Sequence, residues 1–198
     1  MFGYYGHQPP VLLERPLCLV GFLGAGTVAV GSALGALTGL PWIDLDRRVE
    51  HAAGRSISQL VLERGDGALQ QIEGVALRRA LDARPAGIVS LGAGALRLPG
   101  SAAAVATEAT SVYLRLPIED LTRNVRRELD QQPGRYPEFM VKRSVVTVAG
   151  LEPLLLAREP AYAAATHAVD CAGKAPTTIA REIMALVGLD ADLGGPPG

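Results

Sequence analysis

The sequence predicts an α/β fold in a single domain, with a parallel sheet covered by helices on both faces. Three observations carry this. Five short runs, at residues 17–21, 42–45, 88–91, 112–116 and 168–171, are predominantly apolar rather than alternating, as in strands buried on both sides. Segments with helical periodicity separate these runs. The first run leads directly into a glycine-rich stretch that opens a helix.

Taken in order, residues 1–15 are expected to form a flexible arm, because Gln8-Pro9-Pro10 continues neither a helix nor a central strand. The domain is expected to span 16–188. Helical patterns fall at 28–38, 57–64, 68–83, 102–108, 118–129, 151–165 and 177–187. The segment 189–198 is rich in Gly and Pro and is expected to be a disordered tail. A sheet of this kind binds ligands at the carboxyl ends of its strands, which is where the candidate motifs fall.

The chain has 198 residues, 48% of them apolar and 20% charged, enough for one domain with a real core. Its formal net charge of -1 argues against electrostatic binding to nucleic acid or to an anionic membrane. No apolar segment approaches the ~20 residues of a membrane span. The first residues lack the basic and apolar regions of a secretory signal, so a cytoplasmic protein is expected. Cys18 and Cys171 lie in apolar runs and are expected to be buried free thiols. His7, His51 and His167 show no metal-ligand spacing.

The central motif is Gly21-Phe22-Leu23-Gly24-Ala25-Gly26-Thr27-Val28. Its setting, strand then glycine loop then helix, is that of a phosphate-binding P-loop. Successive backbone N–H groups of such a loop turn inward and cradle an anion. In the P-loop pattern the last two positions are Lys and Ser or Thr, a charge for the phosphates and a hydroxyl for Mg²⁺. Here they are Thr27 and Val28, which supply neither. A tight strand-to-helix turn without a ligand is the competing reading.

Three further motifs follow. Asp44 and Asp46 leave a strand end on one side, where Asp44 can hold Mg²⁺ and Asp46 can accept from substrate hydroxyls. Alternatively, Asp44 caps the helix that follows at Arg47. The turn Gly92-Ala93-Gly94 allows close backbone approach to a ligand, or is an ordinary exit from a strand. Arg158, on a helical segment interrupted by Pro160, can clamp a carboxylate, or is a solvated surface residue.

Together these motifs resemble the shikimate kinase family, from about Leu17 to Val187. The resemblance rests on the glycine loop, Gly39-Leu40-Pro41-Trp42-Ile43-Asp44-Leu45-Asp46, Gly54-Arg55-Ser56-Ile57, Arg64-Gly65-Asp66 with Glu73, Leu91-Gly92-Ala93-Gly94-Ala95 and Arg158-Glu159-Pro160-Ala161-Tyr162. It implies a P-loop NTPase-like fold of the nucleoside-monophosphate-kinase type, with a five-stranded parallel sheet and a lid. It implies a cytoplasmic transferase of aromatic amino acid biosynthesis that moves the γ-phosphoryl of ATP, with Mg²⁺, to the 3-hydroxyl of shikimate. By resemblance, Gly21, Gly24, Ala25, Gly26, Thr27, Val28 and Lys174 belong to the nucleotide side, and Asp44 to the metal. Asp46, Gln70, Gly92, Ala93, Gly94 and Arg158 belong to the substrate side, and Arg135 to the lid.

The departures from the family pattern fall on both sides. Thr27 and Val28 replace Lys and Ser or Thr; Gln70 replaces an arginine that grips the shikimate carboxylate; Ala93 replaces the middle glycine of three. Lys142 and Lys174 are the candidates for a compensating charge. The expected function is a shikimate-kinase-like protein with impaired catalysis and a residual binding or regulatory role. The alternatives are an active kinase for a shikimate-like or cyclitol substrate, and a non-catalytic structural or interaction protein.

Overall fold

The computed structural model describes residues 12–132, 135–136 and 146–189. Strands β1 (Leu17–Val20), β2 (Trp42–Asp44), β3 (Ile88–Ser90), β4 (Thr110–Arg115) and β5 (His167–Asp170) form one sheet in the order β2-β3-β1-β4-β5. Every neighbouring pair is parallel. The chain runs from β1 outward to β2, returns to β3, then crosses β1 to reach β4 and β5. That reversal beside β1 opens a crevice at the carboxyl ends of the strands.

The described helices are α1 (Thr27–Thr38), α2 (Leu45–Ala53), α3 (Ile57–Asp82), α4 (Pro99–Glu108), α5 (Ile118–Gln131), α6 (Val148–Ala163) and α7 (Pro176–Leu186). Leu17, Cys18, Leu19, Val20, Ile88, Val89 and Val112 are buried in the sheet, and Leu34, Leu77, Leu121, Leu151 and Ile183 pack helices onto it. Each such buried side chain contributes about 1.5–3 kcal/mol.

Four local differences from the expected elements have physical causes. The polar stretch after β2 forms α2, because Asp44 caps it and Val49 anchors it. The two helical patterns at 57–64 and 68–83 join as α3, with a kink at Gly65, whose φ of 79° lies outside the helical region. Ser56 and Gln59 form a reciprocal capping box at its start. Pro160 does not interrupt α6, because buried Leu151 and Tyr162 pin the helix on either side of it. Pro99 starts α4 earlier than its apolar pattern suggests, since proline suits a first helical turn.

Of the arm, residues 1–11 lie outside the described part, while Leu13 forms an isolated antiparallel bridge with Ala86. Of the tail, Leu189 is buried at 6% exposure and 190–198 lie outside. Cys18 and Cys171 are free and buried, and burial pushes their thiols up to about 12 and about 11. No helix among the described residues is long and apolar enough to cross a membrane.

Candidate functional site

The crevice holds two adjoining cavities. One, of about 410 Å³, is lined by the glycine loop from Gly21 through Val28. The other, of about 240 Å³, lies between the glycine turn after β3 and the start of α3. Leu23, Asp46, Gly92, Ala93, Arg135 and Tyr136 line both, so the two are halves of one cleft.

The loop half has the shape of a phosphate cradle. Gly24 and Gly26 take positive φ, 76° and 78°, which only glycine adopts without strain. Gly26 is the N-cap of α1 and supplies no side-chain cap, so the N-terminus of the helix opens onto the cavity. The chemistry of this half differs from the shape. The Thr27 hydroxyl donates to the Leu91 carbonyl at 3.2 Å, and the Thr27 carbonyl accepts from the Ser90 hydroxyl at 2.7 Å. Trp42 Nε1 in turn donates to Ser90 Oγ at 3.0 Å. Thr27 therefore ties α1 to β3.

Of the groups that close over this loop, the sequence singles out Arg135 alone, as a lid residue by resemblance. Asn124 of α5 donates to the Gly24 carbonyl at 2.9 Å. The Gly24 N–H donates to the Tyr136 hydroxyl at 3.3 Å, and that hydroxyl donates to Glu128. Burial first, then the Glu128 charge, raises the Tyr136 phenol well above its ordinary value, which keeps the proton in place. Arg135 pairs with Glu128 at 2.9 Å. Among the lining residues the charges are thus Asp46, Glu128 and Arg135, so this half carries no net positive charge. The two contacts to Gly24 join residues 100 and 112 positions apart, which no local pattern reveals.

The other half is tightly built. A Cβ on Gly92 would lie 2.1 Å from Asp46 Oδ1, so the carboxylate is seated directly on the glycine. Buried Tyr162 donates to the Ala93 carbonyl at 2.6 Å and fixes the turn from behind. Arg97 Nε donates to the Gly94 carbonyl at 3.3 Å, and its two terminal nitrogens each lie 2.8 Å from an Asp66 oxygen. Those hydrogen bonds, with a smaller contribution from the charge of Arg158, hold Asp66 below the usual carboxylate range. Glu73, at 6% exposure, completes the wall. Arg97, Asp66 and Glu73 line the cavity; Asp66 and Glu73 belong to quoted motifs, whereas Arg97 carried no sequence signal.

The remaining predicted residues sit elsewhere. Asp44 accepts from Arg47 N at 3.3 Å as the N-cap of α2 and does not line either cavity. Gln70 donates to Asp66 at 2.9 Å from outside the lining. Arg158 also lies outside it, with its guanidinium 5.8 Å from the centre of the Phe22 ring. Lys174 is exposed and paired with Glu182 at 2.7 Å. Of the expected lid, Arg135 and Tyr136 are described, and 133–134 and 137–145, including Lys142, lie outside the described residues. No cluster of three metal-ligating side chains occurs among the described residues.

Comparison with known proteins agrees with this fold. The sequence profile described as "Shikimate kinase" matches residues 23–187. The chain belongs to the shikimate kinase family. A shikimate kinase of Caulobacter vibrioides is 36% identical over 173 residues, covering 87% of this chain and 82% of that protein. One from Salinispora arenicola is 36% identical over 174 residues, covering 87% and 98%. The structure of a shikimate kinase from Acinetobacter baumannii in complex with shikimate superposes with a TM-score of 0.78 at 25% identity, covering 89% of this chain and 94% of that one. The glycine loop, Asp46 and the glycine turn after β3 are the motif residues that meet in this cleft.

Proposed function

We propose that this chain is a shikimate-binding member of the shikimate kinase family whose phosphoryl transfer is impaired. The family reaction, ATP-dependent phosphorylation of the shikimate 3-hydroxyl, is the activity from which it departs. The observation that carries the reading is Thr27. At the position of the family's phosphate-binding lysine stands a side chain hydrogen-bonded back to Leu91.

The substrate half supports binding. Asp46, held on Gly92, is placed to accept from ring hydroxyls. The backbone at Gly92, Ala93 and Gly94 offers close approach. Arg158 stands behind this half as a cationic neighbour of Asp66, and is assigned to the substrate carboxylate by resemblance.

ATP and Mg²⁺ fit poorly. The loop has the backbone for phosphate, but one of its N–H donors is engaged by Tyr136, and Glu128 faces the same cavity. Val28 has no side-chain oxygen for a metal, and Asp44 is committed to capping α2. Loss of one charged clamp on a phosphoryl group costs roughly 10³-fold or more. The losses here are not additive, but each acts on the same step.

A cyclitol substrate, which has no carboxylate, would suit Gln70 in place of the family arginine, but Gln70 is bonded to Asp66 and does not line the cavity. Calorimetry with shikimate and with MgATP, each alone, followed by a coupled kinase assay, tests the reading. Shikimate heat without MgATP heat at millimolar concentration, and a negligible turnover, are expected. Turnover in the ordinary kinase range of about 1–100 s⁻¹ sinks it. Silence from both ligands leaves the structural or interaction role instead.

A further inference from the structure

We propose a second small-molecule site, on the other face of α3, for an amphipathic carboxylate. A cavity of about 610 Å³ lies between α2, α3 and the edge strand β2, within the range of ordinary ligand pockets. It shares no lining residue with the cleft. Its floor is apolar: Ile43 from β2, and Ile72, Ala76 and Ala80 from α3. Val75 stands at its edge with 55% exposure, one of the few large apolar side chains so exposed.

The polar part of the wall has one sign. Arg48 and His51, three apart on α2, share a face, and Arg79 comes from α3. No carboxylate lines the cavity. Among the described residues, the side chains of Arg48, His51 and Arg79 make no hydrogen bond or ion pair, and His51 is engaged through its backbone carbonyl, which accepts from Gly54 N. Several arginines elsewhere on the surface are held by acids, Arg55 by Glu63, Arg78 by Asp82 and Glu108 and Arg115 by Asp170, and others reach backbone carbonyls, as Arg84 and Arg126 do. Two guanidinium groups around one apolar hollow repel each other, and an anion relieves that repulsion. Guanidinium favours a planar, bidentate anion, and the apolar floor takes the body attached to it. A carboxylate on a flat hydrocarbon body satisfies both.

The site is independent of the family reaction, and so is its test. Calorimetry of the full chain with 2-naphthoate, with 2-naphthamide and with inorganic phosphate separates charge from apolar contact. One site of millimolar affinity or better for 2-naphthoate is expected, with 2-naphthamide about tenfold weaker or worse. Phosphate, which has no apolar body, is expected to bind more weakly than 2-naphthoate. Arg48→Gln and Arg79→Gln each weaken 2-naphthoate about tenfold. Both positions are exposed, so the fold survives, and thermal melts verify it. Arg79→Lys keeps the charge but loses the fork and gives an intermediate loss. Asp46→Asn, in the cleft, leaves 2-naphthoate binding intact. The proposal is overturned by no naphthoate binding, by equal binding of the amide or of phosphate, by indifference to both Gln variants, or by loss in Asp46→Asn.

Discussion

The two halves of the cleft are built to different standards. In the half beside the glycine turn after β3, charge and backbone agree: Asp46 rests on Gly92, Arg97 spans Asp66 and Gly94, and Tyr162 fixes Ala93. In the loop half, backbone and charge disagree. Gly24 and Gly26 keep the left-handed geometry of an anion cradle, while Thr27, Tyr136 and the paired Glu128 and Arg135 around it leave no net positive charge for a phosphate. A glycine scaffold therefore persists on geometry alone. Electrostatic function resides in a few side chains that the scaffold does not require.

The sharpest way to break that contrast is to restore the charge. Thr27→Lys with Val28→Ser should bring MgATP binding into the millimolar range or better and raise turnover by about 10³-fold. A calorimetric and kinetic blank for the double variant would mean that the loop has drifted in shape as well as chemistry.

Next, Asp46→Asn should cost shikimate about 10–100-fold in affinity, the weight of hydrogen bonds to a charged group. An unchanged titration would remove the aspartate from the substrate side. Gly92→Ala probes the same contact from below. The added methyl meets the end of a short side chain, so Asp46 moves and the fold holds. Shikimate affinity should drop about tenfold while the melting temperature shifts by only a few degrees.

Smaller effects test the loop. Tyr136→Phe frees the Gly24 N–H, and pyrophosphate affinity should rise by about 3–10-fold, measured by calorimetry. No gain would show that the tyrosine does not compete with anions. The smallest effect concerns acid. Asp66 is held below its ordinary value, so its contribution is present above about pH 4 and is lost as pH falls through the lowered folded value. Acid melts of Asp66→Asn should lack that component; identical acid limbs would dismiss the Arg97 pair as a contributor.

Much of this was legible in the chain because it depends on local pattern. The apolar runs that became β1, β3 and β4 and the glycine stretches at their ends needed only period and composition. Asp44 could be read either as a metal ligand or as a cap for α2, since both place a carboxylate at a strand end; the described geometry has it capping. Tyr136, Glu128 and Asn124 were invisible for another reason. Asn124 and Tyr136 matter through contact with Gly24, at separations of 100 and 112 positions, and Glu128 matters through its bond to Tyr136. Arg97 reaches Asp66 across 31 positions and belongs to no recognisable motif. Gln70 was assigned by its alignment with an arginine, and a shorter neutral side chain found a nearer partner in Asp66.

The stitch from Thr27 to Leu91 and Ser90 makes the loss of the lysine hard to undo one step at a time. A lysine returning alone gives up the hydroxyl bond to β3, at about 1 kcal/mol, before Val28 has regained a metal ligand. The intermediate is less stable and no more active than its parent. On the proposed function, position 27 works as a rivet between the start of α1 and the end of β3 rather than as a hold on phosphate.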